Sequence, residues 1–116
     1  MKVYKRKKPR TFLVSEKNRI FLKDVGKVSL NDNENLTISS TDKKNYEICR
    51  KNWGYYATPS INVRLKKNGF RTVLVKQNKK LFILIVDNKK IKMFKRYIKL
   101  ENYKIVKRLD NLKFTT

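Results

Sequence analysis

The sequence predicts an α+β protein, with a β-meander over residues 11–44 and a mixed unit over residues 45–110. Short apolar stretches separated by polar turns fill the first region, which is the usual pattern of strands joined by hairpins. Segments with helical spacing of apolar residues alternate with strand-like stretches in the second. Because the chain has 116 residues, we expect residues 11–116 to form a single domain with one core.

The meander is predicted from alternating apolar residues and from turn composition. Residues 11–14, 20–22 and 36–39 have strand character, and Gly26 is expected to mark a turn or a bulge. The segment ahead of the meander, residues 1–10, contains six Lys or Arg and no acid. Like charges at this density repel one another, so we expect a flexible basic arm.

Two helices are predicted in the mixed unit. Ser60 can cap a helix over about 60–68, and Gly69 can end it in a left-handed conformation. A second helix over about 89–101, capped by Asp87 or Asn88, has one apolar stripe. The stripe consists of Ile91, Phe94 and Ile98.

Four strands are predicted around these helices, at about 45–51, 70–77, 81–87 and 103–109. The resulting order is βαββαβ, which is the ferredoxin-like arrangement of two helices on one face of an antiparallel sheet. Residues 81–86 are apolar at every position, as in a strand buried on both faces. Since the helices cover one face only, the meander is the favoured cover for the other, and a second copy of the chain is the next choice.

Charge is the strongest compositional feature. The chain has 31 Lys or Arg and 9 Asp or Glu, which gives a formal net charge of +22. A bias of an AT-rich genome towards Lys and Asn explains the excess of Lys over Arg, but it does not explain the scarcity of acids. Self-repulsion at this charge destabilises the compact state, and a polyanion relieves it. We therefore expect a nucleic acid or another polyanion as the partner.

The residue types on which most enzymes depend are scarce. The chain has no His, which excludes Ser–His and Cys–His pairs and most catalytic metal sites. Its only cysteine, Cys49, alternates within a predicted strand and is interpreted as a small buried hydrophobe. We expect a non-catalytic protein with no metal and no cofactor. An enzyme that acts on an anionic metabolite at the Ser60 helix end is a third and weaker hypothesis.

Two groups of residues are candidates for binding. The polyanion-binding candidates are the cations of the arm and of the outer helix faces: Lys5, Arg6, Lys7, Lys8, Arg10, Arg64, Lys66, Lys67, Lys92, Lys95, Arg96 and Lys99. The candidates for base stacking or for an anion site are Tyr55, Tyr56, Ser60 and Arg71. Since Tyr55 and Tyr56 point opposite ways in an extended backbone, we expect at most one to be exposed. Trp53 is expected in the core.

The first functional hypothesis is therefore nucleic-acid binding through phosphates, with RNA slightly ahead of DNA. The alternative is a non-catalytic module for protein–protein interaction or homodimerisation, in which the Lys excess is compositional. No apolar run approaches the length of a membrane span, and no signal-peptide pattern follows the basic N-terminus. A cytoplasmic location is the expectation.

Overall fold

The computed structural model describes residues 1–111 and divides the chain into two compact units, Met1–Thr58 and the part from Pro59 onward. The predicted α+β class is confirmed, because residues 1–111 contain eight strands and two α-helices in a strand-rich structure with antiparallel sheets. Every sheet closes within one unit, and the prediction of a single domain over 11–116 stays a prediction. Residues 112–116 of that predicted domain lie outside the described residues.

The first unit begins with a long hairpin of β1 (Lys2–Ser15) and β2 (Ile20–Ser29), which pair antiparallel. The prediction of a flexible arm over residues 1–10 is therefore wrong. Lys2 pairs with Ser29 and Lys5 with Gly26, so backbone hydrogen bonding to β2 orders this segment despite its charge. Nearly all hairpin side chains remain exposed.

A three-stranded sheet completes the first unit, in the order β3 (Asn35–Ser39), β4 (Asn45–Lys51) and β5 (Gly54–Ala57). Cys49 is buried at the centre of β4, as predicted. The predicted ferredoxin-like order is not found, because β4 pairs with β3 and β5 rather than with strands of the second unit.

The second unit contains a sheet of three strands in the order β7-β6-β8, joined by two helices. Its elements are α1 (Arg64–Lys67), β6 (Phe70–Gln77), β7 (Lys80–Asp87), α2 (Ile91–Leu100) and β8 (Lys104–Arg108). The buried residues Val73, Val75 and Val86 form the centre of its core. The stripe of α2 packs on this centre, which confirms the predicted role of Ile91, Phe94 and Ile98.

The helix ends agree with the sequence only in part. Asp87 accepts a hydrogen bond from the Lys89 amide at 3.0 Å and starts a 3-10 turn that leads into α2. Gly69 has the predicted left-handed backbone, with φ of 89°. The helix predicted over 60–68 is shorter than expected: its α-helical part is limited to α1, and the Ser60 hydroxyl accepts from the Arg64 amide at 2.9 Å.

Strand β7 is poorly covered over its first half. The prediction that residues 81–86 are buried on both faces is wrong, because Leu81 and Ile83 are 61% and 62% exposed. Val86 alone in this stretch is buried, beneath α2. β7 is an edge strand, so a central position in the sheet does not explain its apolar composition.

Candidate polyanion-binding surfaces

The β1–β2 hairpin carries a large bulge at its most basic point. Lys5 pairs with Gly26 and Arg10 with Asp24, so the four residues between Lys5 and Arg10 face the single residue Val25. The bulged residues read Arg-Lys-Lys-Pro. Proline has no backbone N–H to donate, which makes it compatible with a bulge and not with a regular ladder.

One carboxylate holds both ends of this bulge. Asp24 Oδ2 lies 3.2 Å from the Arg6 guanidinium and 3.3 Å from that of Arg10. The hydrogen bond from Arg6 holds the pKa of Asp24 below its ordinary value, against the opposing effect of desolvation. Lys7 and Lys8 lie between these two anchors, and both are exposed. The bulge therefore presents two lysines on an ordered backbone.

Gly26 is required for the approach of β1 to β2 beside the bulge. A Cβ atom at this position would collide with the carbonyl oxygen of Tyr4 and crowd the Cα atom of Lys5. Because both neighbours are backbone atoms, they cannot swing aside as a side chain would. The turn or bulge predicted at Gly26 is not at this residue: Gly26 pairs with Lys5 within β2, and the bulge lies beside it in β1.

Cations and aromatic rings alternate along the hairpin. The Lys27 ammonium lies 5.0 Å from the centre of the Tyr4 ring, and the Arg10 and Arg19 guanidinium groups lie 5.7 and 5.6 Å from the rings of Phe12 and Phe21. These distances are within the range of cation–π attraction. The rings remain exposed, so each has surface left for a ligand.

The turn between β4 and β5, together with β5 itself, presents a second aromatic group. Trp53 and Tyr55 are 68% and 69% exposed, and Tyr56 is exposed as well. Two predictions are wrong here: Trp53 is not in the core, and both tyrosines are accessible. The rings of Trp53 and Tyr56 stack with their centres 6.2 Å apart. The thin three-stranded sheet explains the difference, because it leaves both faces of β5 open.

Two neighbouring clefts in the first unit share Lys27, and we call them together the Lys27 groove. One, of about 260 Å³, is lined by Tyr4, Lys5, Arg6, Gly26 and Lys27. The other, of about 340 Å³, is lined by Lys27, Val28, Ser29, Leu30, Arg50 and Tyr55. Arg50 donates to the Leu30 carbonyl at 2.8 Å, which fixes its guanidinium at the groove wall. The groove therefore joins hairpin cations to the exposed ring of Tyr55.

A separate basic stripe lies on α2 in the second unit. Lys92, Lys95, Arg96 and Lys99 follow the spacing i, i+3, i+4 and i+7, which places them on one side of the helix. All four are exposed, and within residues 1–111 none forms an ion pair. The helix contains no acid. The predicted cationic face of this helix is therefore present as a continuous stripe.

The remaining candidates are scattered. Lys66 donates to Asn111 at 2.9 Å, near the end of β8, whereas α2 packs on β7 at the opposite edge of the sheet. Lys66 therefore does not join the α2 stripe; Arg64 and Lys67 are exposed neighbours on α1. Ser60 and Arg71 belong to the second unit, and Tyr55 and Tyr56 to the first. The short α1 removes the helix end on which the anion site at Ser60 depended.

Lys27 and Arg50 were not among the predicted site residues. Lys27 lies in β2 and Arg50 in β4, which belong to different sheets. The alternation of polar and apolar residues within each strand does not indicate that these two residues line one cleft. Lys27 stands opposite Tyr4, and Arg50 stands opposite Tyr55 in the observed register. Cross-strand pairs of a cation and an aromatic ring are the signal that would have found them, once the register was known.

Comparisons with known proteins add no relative: no family model, curated protein or solved structure matches the chain. Among residues 1–111, no group of three or more His, Cys, Asp or Glu side chains is placed to hold a metal ion. None of the helices in this part of the chain has the length and apolar character needed to cross a membrane.

Proposed function

We propose that the protein binds nucleic acid through backbone phosphates, with single-stranded RNA slightly ahead of DNA, in a non-catalytic role. The Lys27 groove is the observation that carries this proposal, because it combines exposed cations with exposed rings along one path. Proteins that bind single strands without sequence preference use this combination: a positive groove follows the backbone, and aromatic side chains stack on the bases.

The phosphate contacts would come from the hairpin. Lys5 and Lys27 line the groove, while Lys7 and Lys8 extend from the neighbouring bulge. Residues 1–29 hold ten Lys or Arg against two acids, so the hairpin attracts phosphate along its whole length. Asp24 neutralises only Arg6 and Arg10 within this set, which leaves the lysines available for counterion release.

Base contacts would come from Tyr55 in β5, with Tyr56 of the same strand and Trp53 of the preceding turn as further exposed rings. A stacked base contributes about 1–3 kcal/mol to single-strand affinity and does so for any sequence. The exposed rings are the reason to prefer single strands, because a duplex offers no free base faces. The basic stripe of α2 is a second place for phosphate contacts and adds affinity without base readout.

The test is a titration of fluorescently labelled, mixed-sequence single-stranded RNA, with matched single-stranded and duplex DNA, at several salt concentrations. We expect a steep decrease of affinity with salt and a preference for single strands. Lys27→Gln should reduce the slope of log K against log salt by about 0.7 for a single strand, since one phosphate contact is lost. Tyr55→Leu should lower single-strand affinity by roughly 5- to 100-fold while leaving duplex affinity almost unchanged.

Lys43→Gln is the matched control, since it removes one exposed charge from the same unit away from the groove. It should leave both the slope and the affinity close to those of the wild-type protein. Absence of RNA binding near physiological salt would overturn the proposal. Equal effects of Lys27→Gln and Lys43→Gln would overturn the assignment to the groove and would point to diffuse attraction by net charge.

A further inference from the structure

Strand β7 has a free edge that lacks the usual protection against strand pairing. It pairs with β6 on one side, and no strand of residues 1–111 pairs on its other side. Edge strands in natural proteins usually carry a lysine, a proline or a bulge that blocks further pairing. Residues 81–86 of β7 carry no charge and no proline, and the β6–β7 ladder runs without a bulge.

The hydrogen-bonding phase of β7 identifies the residues that face outward along this edge. Gln77 pairs with Lys80 across the two-residue turn to β7, so the even-numbered residues of β7 exchange backbone hydrogen bonds with β6. The odd-numbered residues Leu81, Ile83 and Ile85 then direct their N–H and C=O groups away from β6. Their side chains share one face of the sheet, where Leu81 and Ile83 are exposed.

We propose that this edge pairs antiparallel with β7 of a second copy of the chain, around a twofold axis at Ile83. In such an isologous pair the same patch serves both subunits. Ile83 lies opposite Ile83 of the second copy, and Leu81 lies opposite Ile85. The two three-stranded sheets would join into one sheet of six strands, and the outward backbone groups of both edges would be satisfied.

The charges at the two ends of β7 favour pairing with a second copy in this register. With the axis at Ile83, Asp87 at the end of β7 lies beside Lys79, the turn residue just before β7, of the other copy, so opposite charges meet at each end of the paired strands. Two neighbouring registers keep the same residues outward. An axis at Leu84 would place Asp87 opposite Leu81, which sets a carboxylate against an apolar side chain at each end, and an axis at Phe82 would shorten the paired stretch to residues 80–84. The axis at Ile83 is therefore the most favourable of the three.

The groove between β7 and α2 offers further apolar contact at the same edge. Its volume is about 400 Å³, and its lining is mostly apolar, with the charged residues Asp87 and Lys90 also at its wall. Met93 is strongly exposed here. In the proposed pair Phe82 of each copy lies opposite Leu84 of the other, on the α2 side of the sheet. The approaching side chains would cover the groove and bury apolar surface, which favours association.

Sedimentation of the full chain over a range of protein and salt concentrations tests the proposal. We expect a monomer–dimer equilibrium that shifts towards dimer as salt rises, because salt screens the repulsion between two chains of net charge +22. Nucleic-acid binding should weaken under the same change, so either proposal can fail without the other. Ile83→Lys should weaken dimerisation at least tenfold. Ile38→Lys, an exposed isoleucine on the β3 edge, is the control and should not.

Cross-linking tests the register. Ile83→Cys should be linked rapidly between copies by a short thiol-reactive cross-linker, because the two Cα atoms would be about 5.5 Å apart. Ile85→Cys should not, since its own copy lies four residues away along the strand, about 13 Å. Cys49 is buried, and the wild-type protein measures its background. A chain that stays monomeric at high salt, or equal cross-linking of the two variants, would overturn the proposal.

Discussion

The two units of this protein are stabilised in different ways. In the second unit, Leu65, Phe70, Val73, Val75 and Val86 are buried apolar residues. In the first unit, within the described residues, Cys49 is the one buried hydrophobic residue. The second unit is therefore stabilised by a conventional apolar core, whereas the first depends on strand hydrogen bonds and a few ion pairs.

This difference indicates where the protein can adapt to a ligand. A two-stranded hairpin without a covered face is marginally stable in water, and its opening requires little free energy. The β1–β2 hairpin is of this kind, and it carries most of the proposed phosphate contacts. We infer that a bound polyanion stabilises the hairpin by relieving its charge repulsion, whereas the second unit needs no such help.

The largest expected effect comes from the core of the second unit. Leu65 is 1% exposed, so Leu65→Ala should cost about 2–5 kcal/mol of unfolding free energy through lost burial and a residual cavity. Amide exchange of β6 in denaturant measures this. The control is Leu100→Ala, which removes the same atoms from an exposed position. Equal stabilities of the two variants would contradict the assignment of the core to this unit.

An intermediate effect is expected at the close contact in the first unit. Gly26→Ala should destabilise the hairpin by about 1–3 kcal/mol, because its methyl group collides with the backbone of β1. Faster amide exchange in β1 and β2 is the measurement. Val25→Ala changes a neighbouring exposed side chain and should leave exchange nearly unchanged. Slow exchange retained in Gly26→Ala would show that the strands do not approach as described.

The smallest effect is expected for the ion pairs at the bulge, which are solvent-exposed. Since the pKa of Asp24 is lowered in the folded chain, its stabilising contribution is present above the ordinary carboxyl value and is lost as pH falls through the lowered pKa. Protection of the Arg6 guanidinium protons against exchange, relative to free arginine at the same pH, should fall over that acid range. Asp24→Asn should show the lower protection already at neutral pH, and Asp32→Asn should behave like the wild-type protein.

Local features were the most predictable part of the fold. The apolar stripe of Ile91, Phe94 and Ile98, the left-handed Gly69 and the cap at Asp87 depend on residues close in sequence, and all three are found. Strand pairing was not predictable in the same way. The alternation of apolar and polar residues over 45–51 is compatible with any neighbouring strand. The pairing of this strand with β3 and β5 is decided by tertiary contacts.

The residue types of the candidate site, cations and aromatic rings, were predicted better than their positions in the fold. The α2 stripe follows directly from helical spacing, whereas the exposure of Trp53 depends on whether anything covers β5. Charge density suggested a disordered N-terminus, but the strand-forming residues of β1 and β2 were sufficient for pairing. Pro9 was the available clue to the bulge, because proline in a strand is confined to edges and bulges.

The position of Cys49 gives the first unit a chemical reporter of its own opening. It is the only thiol in the chain and lies buried at the middle of the central strand β4. A thiol reagent reaches it only when the sheet separates, so the labelling rate measures the frequency of that separation without any engineered probe. If nucleic acid bound at the Lys27 groove stabilises the first unit, the labelling rate of Cys49 should decrease as the groove is occupied.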